Sequence, residues 1–227
     1  MTGKSLPPGD MTANMYIDPG ADTPEGYAIA SSSRALARAV VGNTSQEDRI
    51  RQRCSIAVGD FVMADLMVFS NEPVRAGILA LQNRAPIYTD IRMVQTGIRK
   101  NEHDSEVACV LDYGSDISRR EGITRTSAGF LALESKIEGS ILVIGNAPSA
   151  LLTICDMIDR GIRPALIIGT PVGFVNAKES KELLRKKGVP SISNRGTRGG
   201  TPPAVAAMNE LITMYLETKF SNHTERR

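Results

Sequence analysis

Two apolar runs of strand length stop on a glycine and pass straight into helical periodicity: Ile141–Ile144 before Gly145-Asn146, and Ala165–Ile168 before Gly169-Thr170. Runs this short, flanked by turn residues, suit strands buried on both faces of a sheet. The same alternation extends along the chain. Strands are predicted at Leu66–Phe69, Pro86–Thr89, Val107–Leu111, Ser140–Ile144, Pro164–Ile168 and Val189–Ser191. Helices are predicted at Tyr27–Val41, from Gln46, at Pro73–Gln82, near Met93, and at Thr124–Lys136, Ala147–Arg160, Ala177–Lys187 and Pro203–Thr218. Alternating strands and helices make βα units, and their right-handed crossovers build a parallel sheet covered on both sides. The expected fold is a three-layer α/β/α doubly wound parallel sheet, flavodoxin-like. A TIM barrel needs eight such units, more than 227 residues carry in this spacing.

Local signals set the boundaries. Gly42-Asn43 is expected to close the first helix in a left-handed cap, with Thr44 or Ser45 capping the next. The second helix has an apolar stripe of Ile50, Cys54 and Ala57, while Arg53 and Ile56, three apart, share another flank. Ala147, Leu151, Ile154 and Ile158 line one face of a later helix, and Val205, Met208, Ile212 and Tyr215 line one face of the last. Residues 1–26, rich in proline and glycine, are expected to form a flexible arm; 27–220 form a single domain; 221–227 form a fraying tail.

Composition narrows the function. The net charge is +2, from 27 basic and 25 acidic residues, too balanced for a general nucleic-acid binder. No apolar run reaches the roughly 20 residues that cross a bilayer, and no secretory signal is read at the N-terminus. Cys54, Cys109 and Cys155 form no CxxC pair, so they are expected to be reduced core thiols in a cytoplasmic protein. Two histidines, His103 and His223, are too few for a histidine-rich metal site, and no metal is predicted.

Ligands of parallel α/β sheets bind beyond the carboxyl ends of the strands. Four segments fall there: Thr89–Gly97, Gly145–Leu151, Gly169–Ser180 and Gly196–Thr201. Gly145 stands directly before a helix start, where free N–H groups favour an anion; an ordinary tight turn capped by Asn146 explains the same residues. The RGTRGGT stretch at 195–201 offers forked donors and close backbone approach, or else is a mobile surface loop. Arg125, near a helix start, suits an anionic partner or bulk solvent. Asp90 stands where it can cap the short helix near Met93. No dinucleotide fingerprint, phosphate loop or nucleophile elbow is present. The residues alone thus describe an α/β domain with an arginine-bearing cleft for a carboxylated ligand.

Taken together, five segments resemble the precorrin-8X methylmutase family of cobalamin biosynthesis, which includes cobalt-precorrin-8 methylmutases. They are DIRMVQTGI at Asp90–Ile98, GITRTS at Gly122–Ser127, GNAPSAL at Gly145–Leu151, PVGFVNAKESK at Pro171–Lys181 and GTRGGT at Gly196–Thr201. The resemblance runs from about Ala28 to Leu211. It implies a flavodoxin-like homodimer with sites near the subunit interface. It also implies a cofactor-free isomerase that moves a methyl group from carbon 11 to carbon 12 of a carboxylate-rich tetrapyrrole. The family's Arg-x-x-His-Ala element aligns with Arg53-Cys54-Ser55-Ile56-Ala57, and Ser33 aligns with a substrate-contacting serine across a short gap. The substrate-binding residues so implied are Ser33, Arg53, Asp90, Met93, Thr124, Arg125, Asn146 and Ser149. Arg53 and Arg125 are expected to pair with side chains of the ring, and the helix start after Gly145 to receive a further acidic group.

The chain departs from the family at one position. Where the family has a histidine thought to protonate the macrocycle, this sequence has Ile56, which neither donates nor accepts a proton. The catalytic residue is therefore unassigned. Binding geometry alone can promote the shift; His103, Cys54 or Ser55 can stand in; or the protein is a tetrapyrrole carrier or sensor. His103, in the polar stretch Lys100–Ser105, is expected to be solvated.

Overall fold

The computed structural model describes residues 23–101 and 103–224, with side chains as far as Lys219. The chain opens with α1 (Pro24–Val41), α2 (Gln46–Val58), α3 (Val62–Leu66) and β1 (Met67–Ser70). There follow α4 (Pro73–Gln82), β2 (Ile87–Thr89), α5 (Arg92–Gly97) and β3 (Val107–Cys109). Then come α6 (Ser115–Glu121), α7 (Arg125–Ala132), α8 (Glu134–Ile137), β4 (Ile141–Ile144) and α9 (Pro148–Asp159). The chain closes with β5 (Leu166–Gly169), α10 (Ala177–Arg185), β6 (Ser191–Asn194) and α11 (Thr201–Thr224).

The sheet order is β1-β6-β5-β4-β2-β3. Its five parallel strands, read as β3-β2-β4-β5-β6, have the flavodoxin order 2-1-3-4-5. The predicted three-layer fold is therefore present, with one correction: β1 pairs antiparallel with β6, Met67 opposite Asn194. The strand period of two splits the core cleanly. Ile141, Val143, Leu166 and Ile168 face the layer of α2, α4, α5 and α11. Leu142, Ile144 and Ile167 face α7, α8, α9 and α10. The predicted stripe of α9 is buried throughout.

Several boundaries move for identifiable reasons. Pro24 and Gly26, assigned to the arm, belong to α1, because Thr23 accepts the Gly26 N–H and Pro24 suits the first helical position. The rest of the arm, 1–22, lies outside the described residues. Gly42 has φ 91° and ψ 175°, positive but not left-handed helical; the left-handed cap is at Gly59 instead. Ser45, not Thr44, caps α2 in a reciprocal capping box with Asp48. Ala57 is exposed, and Arg53 and Gln52 are buried in its place, because α2 is sandwiched between α1 and α11. The helix predicted at Thr124–Lys136 breaks at Leu133 into α7 and α8. α11 runs on through Ser221–Thr224, so the first half of the supposed tail is helical. It is buried nearly all round from Ala206 to Leu216, since α2 covers the side that the predicted stripe left polar.

Candidate functional site

The topological switch point lies between β2 and β4, where chain order reverses across the sheet. Asp90 follows β2 directly and is fully buried. Its Oδ1 accepts the Gly145 N–H at 3.2 Å, and its Oδ2 accepts those of Asn146 and Ala147 at 2.7 and 2.8 Å. Two expectations are corrected here. Asp90 does not cap α5, whose N-cap Ile91 makes no side-chain bond. The N–H groups of Gly145, Asn146 and Ala147 are also not open to a ligand, since the chain supplies its own carboxylate to them; the first-turn N–H groups of α9, at Ser149 and Ala150, lie beyond its reach. The physical reason is adjacency, since β2 and β4 are paired neighbours and the end of one reaches the turn of the other. Burial pushes the Asp90 carboxyl up, against the opposing pull of these N–H bonds. Glycine is required at 145, where a Cβ would come within 2.8 Å of Val94 and 3.0 Å of the Thr201 backbone.

Above this closed floor the starts of α7 and α9 meet. Thr124 caps α7, accepting the Ser127 N–H at 3.3 Å, and its hydroxyl lies 2.9 Å from that of Ser149. Arg125 is the first residue of α7 and is exposed, as is Asn146. Met93 on α5 is 66% exposed. The predicted residues Thr124, Arg125, Asn146 and Ser149 thus gather at the carboxyl end of β4, with Met93 on the β2 side. Ser33 and Arg53 belong to a second group, on α1 and α2. Ser33 is half-buried and Arg53 is buried, its guanidinium lowered by desolvation, with Glu210 favouring and Arg99 opposing its charge.

The arginine-glycine loop is firmly held, not mobile. Gly200 donates to the Thr170 carbonyl at 2.7 Å, and Gly173 to that of Thr197 at 3.1 Å. A Cβ on Gly199 would come within 2.2 Å of the Thr170 oxygen. Arg198 donates to Asp60 at 2.9 Å, and its carbonyl accepts from Lys181 Nζ and Asn194 Nδ2, both at 2.6 Å.

Lys181 on α10 is the cation beneath this loop, and no sequence signal marks it out. It is fully buried and its remaining hydrogen bond goes to Asn194 Oδ1 at 3.2 Å. Burial brings its pKa from 10.5 down to about 8. The unfolded chain therefore binds the extra proton between these values, so Lys181 adds stability as pH rises through that window. Cys54 and Cys155, pushed up from 9.0 to about 12, act in the opposite sense above about pH 9. Comparison with Lys181→Met isolates the lysine. The parent's stability relative to the variant is expected to climb by up to ~3 kcal/mol between about pH 7.5 and 10.5 in urea unfolding. Parallel pH profiles would show that the lysine is not desolvated.

The three stand-ins for the missing histidine fare differently. Cys54 is a buried thiol donating to the Pro203 carbonyl at 3.5 Å. Ser55 is buried. His103 is buried and not solvated as expected, with Nε2 against the Arg99 carbonyl. Its loop is drawn inward by Asn209, which bonds both the Gly97 carbonyl and the Arg99 N–H at 2.9 Å. All three cysteines are free and buried, as the sequence predicts. A cavity of about 590 Å³ opens beside β1, lined by Asp48, Arg51, Phe61, Asp65 and Arg195 among others, and by none of the predicted substrate-binding residues. Among the described residues, no helix is long and apolar enough to cross a membrane, and no group of three or more His, Cys, Asp or Glu is placed to hold a metal ion.

The chain is similar to known proteins in sequence and fold. The family model described as precorrin-8X methylmutase matches residues 28–214. The chain is 40% identical over 205 residues to cobalt-precorrin-8 methylmutase of Methanocaldococcus jannaschii, spanning 85% of this chain and 96% of that one. It is 38% identical over 199 residues to precorrin-8X methylmutase of Pseudomonas aeruginosa, spanning 83% and 96% respectively. The crystal structure of the precorrin-8X methylmutase from Thermus thermophilus superposes with a TM-score of 0.78 at 32% identity, over 85% of this chain and 97% of that one.

Proposed function

The chain belongs to the precorrin-8X methylmutase family, and from that premise we propose that it binds a carboxylate-rich corrin precursor and shifts a methyl group from carbon 11 to carbon 12. The observation that carries this reading is the cluster of exposed Thr124, Arg125 and Asn146 with half-buried Ser149, over a turn closed by Asp90. With the amides of residues 145–147 already engaged by Asp90, the acidic side chains of the ring meet chiefly guanidinium and hydroxyl donors. Arg125 presents a forked cation, Thr124 and Ser149 a joined pair of hydroxyls, and Met93 an apolar contact for the ring face. Ser33 and Arg53 hold the opposite side. The shift is intramolecular: the methyl leaves one carbon for the next, and no cofactor enters the balance. The chain's own task is to hold and twist the ring. Ile56 leaves the proton-donating step unserved, so turnover is slow.

The same reading includes a cytoplasmic homodimer. Ile29, Leu36 and Val40 form an apolar stripe on α1, each more than 60% exposed, and Phe174 is 96% exposed beside the strand ends. Such surface calls for cover. In sedimentation, the protein is expected at the mass of two chains; a single-chain mass at micromolar concentration counts against the dimer.

Titration with hydrogenobyrinate, followed by visible absorbance, tests the proposal. Arg53→Ala and Arg125→Ala are each expected to weaken binding by about 10- to 100-fold, as loss of a charge-assisted contact implies. Unchanged affinity in both would remove the assignment. Turnover is assayed with metal-free and cobalt-bearing substrates. A second reading, favoured by Ile56, is a carrier or sensor, which binds corrinoid and forms no product. Failure to bind any corrinoid points instead to an isomerase of a different carboxylate.

A further inference from the structure

Helix α1 is thinly rooted. Of its 18 residues only Arg34 and Ala37 are buried. Yet it carries Ser33, one of the two residues assigned to that side of the substrate. Beside the buried Ala37, its attachment is ionic. The Arg34 guanidinium donates to the Arg49 carbonyl at 3.0 Å, to Gln52 Oε1 at 3.3 Å and to Glu210 Oε2 at 2.5 Å. Glu210 stands on α11 and is fully buried. Its other oxygen accepts from Arg49 Nε at 2.8 Å, and the two remaining Arg49 nitrogens grip Glu217 at 2.7 and 2.9 Å. Arg49 precedes Arg53 by one turn of α2. One carboxylate thus joins the helix of Ser33, the helix of Arg53 and the central helix α11.

A buried ion cluster is a poor device for stability alone, since apolar residues of the same volume often serve as well. Its distinctive property is geometric: the planar Arg34 guanidinium divides its nitrogens between the fixed Glu210 carboxylate and the Arg49 carbonyl and Gln52 amide of α2, which together admit one register. We infer that Glu210 is a positioning residue of the methylmutase site, setting Ser33 against Arg53 through Arg34 and Arg49. This rests on the proposal above that Ser33 and Arg53 contact the corrin ring.

The test is a double-mutant cycle read by hydrogenobyrinate titration. Ser33→Ala alone is expected to weaken binding several-fold. Arg34→Met, which leaves Glu210 paired with Arg49, is expected to weaken it about tenfold while the protein still melts cooperatively. In the Arg34→Met background, Ser33→Ala is expected to have no further effect, because the serine is already out of place. A merely structural Arg34 would lower the melting temperature and leave the serine's contribution intact. Arg34→Lys, which keeps the charge and loses the fork, recovers part of the affinity and replaces Arg34→Met in the cycle if that variant does not fold. Parent-like binding by a folded Arg34 variant, or additive losses in the cycle, would overturn the inference. If Ser33→Ala and Arg53→Ala both bind as the parent does, the substrate assignment itself fails, and the inference falls with it.

Discussion

Ile56→His is expected to raise methyl-shift turnover by about 10²–10⁴-fold, the usual worth of a positioned general acid, with corrinoid affinity close to that of the parent. The position is suited to an acid. Ile56 lies in the last turn of α2, half-buried, and three residues beyond Arg53, so the two share a flank. The last turn of α2 contains no basic residue, and its carbonyl-rich end favours an imidazolium there. Isoleucine and histidine have similar helix propensities, and Gly59 closes the helix independently of either. The exchange therefore costs little more than part of one apolar side chain, about 1 kcal/mol. Two of the three stand-ins do not compete. The Cys54 thiol is held at about 12 and engaged with a carbonyl, and His103 is tied to the Arg99 backbone. Rates are measured across pH. The gain should be present at low pH and fade as pH rises through the imidazole pKa. No gain at any pH would mean that proton donation does not limit this site, and fast turnover by the parent would mean that it is never needed.

How much of this could be read from residue order depends on the range of the interactions. The strands Ile141–Ile144 and Leu166–Gly169 were legible because burial on both faces leaves an uninterrupted apolar run bounded by glycine. The five-strand parallel order follows from repeated right-handed crossovers. The antiparallel β1 does not, because strand direction at a sheet edge is decided by a partner far along the chain, Ser191–Asn194 for Met67–Ser70. Asp90 shows the same limit within the site. An aspartate just before a short helix carries the local signature of a cap, yet its carboxylate is claimed by amides 55 to 57 residues away.

Buried charge was the least legible feature. Lys181 occurs in a helix whose other charges reach solvent, and Glu210 in a largely apolar stretch of α11. Pattern alone assigns the first to solvent and passes over the second. A usable signal existed for Glu210, since Asn209-Glu210 is the one strongly polar pair inside the apolar stretch 203–216. Both residues turn out to be anchors: Asn209 for the loop of His103, Glu210 for α1 and α2. The exposed residues of the strand-end cluster were easier, because their motifs lie at strand-to-helix junctions where only few side chains can reach.

Asp90→Ala is expected to destabilise the fold by ~3–6 kcal/mol. The substitution leaves three inward-facing N–H groups, of Gly145, Asn146 and Ala147, without acceptors, and each such orphan costs roughly 1–3 kcal/mol. Asp90 itself is fully buried, so its carboxylate is not readily replaced by bulk water. A loss of this size is a large part of the ~5–15 kcal/mol that holds a domain of this kind together. Asp90→Asn should cost less than the alanine, because one oxygen remains to accept while the amide nitrogen confronts an N–H. Urea unfolding ranks the variants, and hydrogen exchange locates the damage: the amides of residues 145–147 should lose protection before the rest of β4 does. The same pair separates an internal brace from a substrate contact. A ligand-binding aspartate, replaced by asparagine, would leave the unfolding midpoint in place and lower corrinoid affinity. The geometry at the switch point demands the reverse order of effects, and an Asp90→Ala protein as stable as the parent, with protected amides, would show that the turn after β4 is held by something other than this carboxylate.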